Sequence, residues 1–266
     1  MKDSNIIFEA AASLAKMIQN RGLSAREVME AHLNHIENIN PEINAIVNVN
    51  AEQALQDADK ADHALLAGEE VGPFHGLPIA IKDTTHATGY PTTYGFVPFR
   101  HNMPTEDDIL VERLRQAGAI IIGKTNVPEF AAGSHSSNKL FGTTKNPYDL
   151  TKTAGGSSGG AAAAVASGML PFADGSDMGG SLRNPGSFNN VVGFRPSPGR
   201  VTSYPKLALY SPLAVQGPIA RNIKDTAFLM SVIAGPDRRS PLSIEQPGSV
   251  FLHSLDINMK NLKIAW

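Results

Sequence analysis

Two glycine- and serine-rich clusters and one lysine are the parts of this sequence whose residue types could do chemistry. The clusters are AGGSSGG at 154–160 and GSDMGGSLRNPGS at 175–187. In the second cluster, backbone N–H groups with no obstructing side chains could converge on one point beside Ser181. That arrangement stabilises an oxyanion while a serine attacks a carbonyl carbon. The same pattern is also typical of a tight turn that opens a short helix, with Ser181 near its cap.

The lysine is Lys82, which follows Pro78-Ile79-Ala80-Ile81 in an apolar run typical of a buried strand. A buried ammonium group is costly, so a lysine there loses its proton readily and can serve as a base. Two alternatives stay open at this point. The amino group could reach water at the end of the strand, or it could pair with Asp83.

The first cluster has the composition of a flexible linker, but its position favours another interpretation. It lies between well-patterned segments, and the alanine-rich segment 161–167 follows it immediately. Its glycines therefore predict unusual backbone angles and a close approach of chain segments, and the alanines predict a tightly packed helix.

The segment GAIIIGKT at 118–125 fits the nucleotide-binding pattern G-x-x-x-x-G-K-[ST]. That motif needs a flexible loop at its four middle positions, whereas Ala-Ile-Ile-Ile is rich in β-branched residues that favour a strand. Pro128 follows closely, and no acidic Walker-B strand is evident. We therefore interpret 118–123 as a buried strand.

The histidines are weaker candidates for a site. His32 and His35 lie three residues apart on a predicted helix, but no third metal ligand with a clear pattern accompanies them. His135 lies beside Ser134 and Ser136, which carries little information in a chain with 8 histidines. We expect all three to be surface or packing residues.

Alternating helices and strands must position these residues. A capping box at Ser24 and Glu27 opens a predicted helix that ends at Asn40-Pro41, and Thr105 is the predicted cap of another. Further helices are predicted over 51–67 and 222–234, and strands over 43–49, 76–83, 118–123, 191–194 and 261–266. This alternation predicts an α/β fold with a mixed, largely parallel sheet covered by helices on both faces.

Composition excludes several classes of protein. The chain has 266 residues, no cysteine and a formal net charge of −2. The absence of a basic run argues against a nucleic-acid binder, and the absence of thiols excludes disulfides and a cysteine nucleophile. Glu9 and Lys16 interrupt the apolar N-terminus, which is not typical of a signal peptide. The apolar part of the longest uncharged stretch, 161–173, is too short to cross a bilayer. We expect a soluble, cytoplasmic protein that binds neither nucleic acid nor membrane.

Several separate blocks together resemble the amidase signature family. They are KD at 82–83, GKTNVPEF at 123–130, AGGSSGG at 154–160 and GSDMGGSLRNPGSFNNVVGFRPSPGRV at 175–201, with 75 residues from Lys82 to Ser157 and 24 from Ser157 to Ser181. The resemblance extends over the whole chain. It implies a single amidase signature domain over 1–266, with a helical N-terminal region (1–70) and a catalytic core (71–235). Family members are generally much longer, so it also implies an N-terminal portion whose fold is incomplete at the C-terminus.

The resemblance implies a Ser–Ser–Lys catalytic unit. Ser181 corresponds to the nucleophile, Ser157 to the bridging serine and Lys82 to the neutral lysine that receives the proton. The family's cis peptide bond falls at Gly156–Ser157. The oxyanion donors fall on the backbone N–H groups of Met178, Gly179, Gly180 and Ser181, and Asp177 and Arg183 correspond to charged supports of this loop.

The implied activity is hydrolysis of a carboxamide C–N bond through an acyl-enzyme, giving a carboxylic acid and ammonia or an amine. The implied partner is a small-molecule amide, without metal or organic cofactor, and a homodimer stays open. Met178 and Asn184 depart from the sequence usual in the amidase-like subunits of tRNA-dependent amidotransferases, which favours a free-standing hydrolase. The alternatives are an amidotransferase subunit of this kind, which passes ammonia to a partner enzyme, and an inactive fragment that keeps the triad but lacks a pocket.

Overall fold

The computed structural model describes residues 6–206, 208–255, 260 and 262–263. The helices are α1 (Ala11–Gln19), α2 (Ala25–Ile43), α3 (Ala51–Leu66), α4 (Ile109–Gln116), α5 (Gly159–Ala166), α6 (Arg183–Phe188) and α7 (Ile223–Ile233). The strands are β1 (Ile46–Val47), β2 (Pro78–Lys82), β3 (Ile120–Thr125), β4 (Ser137–Asn138), β5 (Gly142–Thr143), β6 (Lys145–Asn146), β7 (Asp149–Thr153), β8 (Phe172–Asp177), β9 (Val192–Gly193) and β10 (Val215–Ala220). The predicted strand at 261–266 falls mainly outside the described residues.

Two predicted helix ends are wrong by a few residues. The capping box at Ser24 and Glu27 is confirmed, but α2 continues through Pro41 to Ile43 and ends at Asn44, which has a φ of 57°. Proline removes one backbone donor, and this loss is tolerable near the solvent-facing end of a helix whose last residue, Ile43, is anchored in the core.

The helix predicted to begin at Thr105 is the second case. It begins at Ile109, because the carboxylate of Asp108 caps it by accepting the N–H of Leu110 at 3.0 Å.

The strands form several small sheets, which confirms a mixed α/β fold. One sheet has the order β1-β3-β2 and another the order β8-β10-β9, while β4-β5 and β6-β7 form two-stranded sheets. The prediction that the sheet is largely parallel is wrong: among the described strands, β2 and β3 form the parallel pair and the other pairs are antiparallel. The period of apolar residues shows that a strand is buried, but it carries no information on the direction of its neighbour.

Helices cover the central strands closely. Every residue of β2, β3 and β10 is buried, so both faces of these strands are covered. The alanine-rich α5 packs against β2, β3, β8 and β10, and it is buried from Gly159 to Val165. A Cβ at Gly160 would lie 2.4 Å from the backbone nitrogen of Asn126, so small residues are required for this approach. The predicted tight helix after AGGSSGG is confirmed, and its packing places that cluster beside the end of β2.

The segment that resembles a nucleotide-binding loop is a buried strand, as predicted. Residues 120–125 form β3, and the Lys124 amino group donates to the Thr85 carbonyl at 2.5 Å and to the Thr92 hydroxyl at 3.0 Å. This lysine is fully buried and makes both of these hydrogen bonds within the protein, so it is not placed to bind a phosphate group.

His32 and His35 are packing residues, as expected. The ring of His32 is fully buried with Nδ1 3.2 Å from the Met169 carbonyl oxygen, and Nε2 of His35 lies 2.8 Å from that of Ser167. Within the described ranges, no group of three or more histidine, aspartate or glutamate side chains is arranged to hold a metal ion. In the same part of the chain, no helix combines the length and apolar character that a membrane crossing requires.

Candidate active site

Lys82 is the last residue of β2 and is fully buried. Its Nζ lies 2.9 Å from Ser157 Oγ, 2.8 Å from Ser158 Oγ and 2.9 Å from Ser176 Oγ. Both alternatives for this lysine are therefore excluded. The amino group does not reach water, and Asp83 instead accepts hydrogen bonds from the backbone N–H and the hydroxyl of Thr93.

The surroundings of Lys82 favour its neutral form. Burial lowers the pKa of its amino group from 10.5 to about 7, although the nearby carboxyl groups of Asp174 and Asp177 oppose this shift. A neutral amine keeps a lone pair, so it can accept a proton from one of the three surrounding hydroxyl groups. The group is thus suited to act as a base near neutral pH.

Ser157 lies in the tight backbone turn of the first cluster. The peptide bond Gly156–Ser157 is cis, as the resemblance implied, and Ser157 is 1% exposed. A Cβ at Gly156 would lie 2.9 Å from the backbone nitrogen of His135, so no larger residue fits there. Gly155 has a φ of 74°, which a glycine adopts without steric cost. The unusual backbone expected of this cluster is confirmed.

Ser181 lies between β8 and α6, in the second cluster. Its carbonyl oxygen accepts the N–H of Ser158 at 3.2 Å, so one backbone hydrogen bond joins the two clusters. The residue is partly exposed, and its hydroxyl group makes no hydrogen bond to any residue that the structure describes. Ser181 is therefore partly exposed, whereas Ser157 and Lys82 are buried.

The carboxylate of Asp177 organises the turn before Ser181. It accepts the N–H of Gly180 at 2.8 Å and that of Leu182 at 3.2 Å, and it pairs with Arg183 at 3.0 Å and Arg195 at 2.9 Å. Burial raises the pKa of Asp177, but the hydrogen bonds from Arg183 and the backbone outweigh it and hold the pKa well below its usual range. Asp177 thus contacts both Arg183 and the backbone of this turn, and the role of the two residues as supports stays a prediction.

The same hydrogen bonds concern one of the four N–H groups predicted as oxyanion donors. Gly180 cannot serve, because its N–H already donates to Asp177. The N–H groups of Met178, Gly179 and Ser181 have no acceptor among the described residues. Gly180 instead allows the backbone to turn here, because its φ of 126° is a conformation that residues with a side chain rarely adopt. In the part of the chain that the structure describes, three of the four predicted donors therefore have no acceptor.

Sequence reasoning missed four residues of this site. Asp174, Ser176 and Ser158 contact Lys82, and Arg195 contacts Asp177. The alternation of a strand was a usable signal for two of them. Residues 174 and 176 of β8 point to the same side, so placing one beside Lys82 places the other there too.

Gly175 provides a test of the packing around Lys82. A Cβ at this position would lie 2.6 Å from Leu182 Cδ2 and 2.9 Å from Ser158 Oγ. We expect Gly175→Ala to move Ser158 relative to the Lys82 amino group and to lower kcat by about 10- to 100-fold. Steady-state kinetics and the melting temperature of the intact protein check this. Gly22→Ala is the matched control, because its Cβ would meet only the Met17 carbonyl, at an ordinary 3.5 Å. Wild-type kcat in a folded Gly175→Ala variant would contradict the prediction.

The amidase family model matches residues 27–266, and the chain belongs to this family, the amidase signature family. It is 40% identical over 266 residues to an acylamidase of Rhodococcus erythropolis, covering 100% of this chain and 56% of that protein. It is 44% identical over 244 residues to a glutamyl-tRNA(Gln) amidotransferase subunit of Acidothermus cellulolyticus, covering 92% of this chain and 48% of that one.

A solved structure agrees with this assignment. The fold is similar to that of a bacterial aryl acylamidase of the amidase signature family, with a TM-score of 0.86 and 34% identity over 90% of this chain and 50% of that one. The chain thus spans about half the length of the relatives it matches.

Proposed function

We propose that the protein is an amidohydrolase that cleaves a carboxamide C–N bond through a Ser–Ser–Lys triad and an acyl-enzyme. The observation that carries this proposal is the fully buried Lys82 amino group, which lies 2.9 Å from the Ser157 hydroxyl. Burial lowers the pKa of this lysine, and the backbone N–H of Ser158, whose hydroxyl contacts Lys82, donates to the carbonyl of the partly exposed Ser181. A buried lysine in these surroundings suits proton relay better than any structural role.

In the proposed mechanism, Ser181 Oγ attacks the carbonyl carbon of the amide. Its proton passes to Ser157 Oγ, while Ser157 gives its own proton to Nζ of Lys82. The negative charge that develops on the carbonyl oxygen faces the free N–H groups of Met178, Gly179 and Ser181. The proton then returns along the same path to the leaving nitrogen, and the C–N bond breaks. Water attacks the acyl-enzyme by the same relay and releases the acid.

The relatives support an amide as the substrate class. The names acylamidase and aryl acylamidase belong to the proteins described above, and both describe the hydrolysis of an acyl amide. One second candidate has an observation in its favour. The 44% identity to a glutamyl-tRNA(Gln) amidotransferase subunit supports a protein that releases ammonia from an amide and passes it to a partner enzyme. Both candidates use the same proposed chemistry at Ser181.

A fluorophosphonate probe and a panel of amides test the proposal on the intact protein. We expect covalent labelling at Ser181, mapped by peptide mass spectrometry, and release of amine or ammonia from at least one small amide without any partner. Labelling at Ser157 or Ser176 would contradict the assignment of the nucleophile. Release of ammonia only in the presence of a co-purifying partner enzyme would favour the amidotransferase candidate.

A further inference from the structure

The position of Lys82 relative to its serine neighbours is not set by a continuous sheet. Strand β2, which ends at Lys82, lies beside β8, which carries Ser176. The two strands nevertheless belong to separate hydrogen-bonded sheets, β1-β3-β2 and β8-β10-β9. Since no backbone ladder joins β2 to β8, side chains must hold the two strands together at this point.

The carboxyl group of Asp174 bridges this gap. Asp174 lies on β8 and is fully buried. Its Oδ1 accepts the backbone N–H of Lys82 at 2.8 Å, and its Oδ2 accepts the hydroxyl of Thr85 at 3.4 Å. Ser176, two residues further on the same side of β8, contacts the amino group of Lys82. One face of β8 thus holds both the backbone and the side chain of this lysine.

Burial of a carboxyl group at this position is energetically unfavourable, so the contacts that compensate for it indicate what the residue does. A buried carboxyl group costs free energy that an apolar side chain such as leucine would avoid. Burial raises the pKa of Asp174, while the neighbouring amino groups of Lys82 and Lys124 oppose that shift. Asp174 in turn helps to raise the pKa of Asp108, the residue that caps the N-terminus of α4. Two hydrogen bonds offset the cost of burying Asp174, and the one from the Lys82 backbone N–H is the shorter.

We propose that Asp174 is a positioning residue, whose carboxyl group clamps the end of β2 to β8 and so holds the Lys82 amino group against Ser157, Ser158 and Ser176. This inference rests on the proposed function of Lys82 as the base. It assigns to Asp174 no contact with the substrate. The residue acts through Lys82, by fixing the distance over which the proton moves.

Two variants of the intact protein separate the clamp from general packing. Asp174→Leu keeps the branched shape and the number of side-chain heavy atoms but removes the acceptor, and we expect kcat to fall by about 10²-fold with KM within about 3-fold of the wild-type value. Asp174→Asn keeps an acceptor for the Lys82 N–H, and its amide group can donate to Thr85. We expect it to restore kcat to within about 3-fold of wild type. The rate of fluorophosphonate labelling at Ser181 should follow kcat, because it needs the same base.

The matched control is Asp225→Leu. Asp225 is also fully buried and accepts two backbone N–H groups, those of Ala11 and Ala12, at 3.0 Å each. We expect this variant to lower the melting temperature without changing the labelling rate of the folded fraction. The inference is overturned if folded Asp174→Leu keeps the wild-type labelling rate, or if Asp174→Asn is as slow as Asp174→Leu. Absence of labelling at Ser181 in the wild type would instead overturn the proposed function.

Discussion

We expect Ser181→Ala to lose about 10⁴-fold or more in kcat on any amide that the wild-type protein hydrolyses, because the attacking oxygen is removed. The change should not affect folding. The Ser181 hydroxyl makes no hydrogen bond to the described residues and is partly exposed, so its loss leaves no buried group unpaired. Steady-state kinetics and thermal unfolding of the intact protein measure the two effects separately.

The control for this prediction is Ser187→Ala. Ser187 is an exposed serine on α6, close in sequence to Ser181, and it should retain wild-type kcat. The prediction fails if Ser181→Ala retains kcat within about 10-fold of wild type. A fluorophosphonate probe that still labelled this variant would likewise show that another serine is the nucleophile.

The second large effect concerns Lys82. We expect Lys82→Met and Lys82→Arg both to be almost inactive, for different reasons. Methionine has no group that accepts a proton, whereas arginine stays charged at any pH at which the protein is folded and cannot accept one. Near-normal activity in Lys82→Arg would show that this residue is not the base. Lys82→Met is more informative, because we expect it to raise the stability of the protein while it removes the activity.

The sign of the stability change follows from the shifted pKa of Lys82. The group has a pKa of about 7 when folded and an ordinary value of 10.5, so between these pH values the unfolded chain binds a proton that the folded protein does not. The free energy of unfolding therefore rises with pH through this window. At pH 6 the wild type bears the full cost of burying the lysine. Lys82→Met removes that cost, and we expect its melting temperature to exceed the wild-type value by at least about 2 °C there.

Two measurements check this prediction. The difference in melting temperature between Lys82→Met and wild type should shrink as the pH rises from 7 toward 10.5. In wild type, kcat/KM should fall as the pH drops through about 7, because protonated Lys82 cannot accept the Ser157 proton. A melting temperature below wild type at pH 6 would show that the hydrogen bonds to the three serines outweigh the burial of the charge.

The sequence by itself determined where the chemistry-bearing residues lie along the chain. Lys82 follows an apolar run that had to be a buried strand, and the glycines around Ser157 and Ser181 had to permit unusual backbone angles. Ile120–Thr125 is a strand despite its resemblance to a nucleotide-binding loop, because β-branched residues favour extended backbone. These conclusions were accessible because each depends on residue type and short-range spacing.

Only the tertiary structure decided what surrounds these residues. The Gly180 N–H donates to Asp177, a choice made by the conformation of the turn and invisible in the composition of the cluster. The direction of β8 relative to β10 likewise depends on how the intervening chain returns. Asp174 accepts the backbone N–H of Lys82, although the two residues lie 92 positions apart in the sequence. A hydrogen bond over such a separation is fixed by the packing of whole strands, which local sequence patterns do not encode.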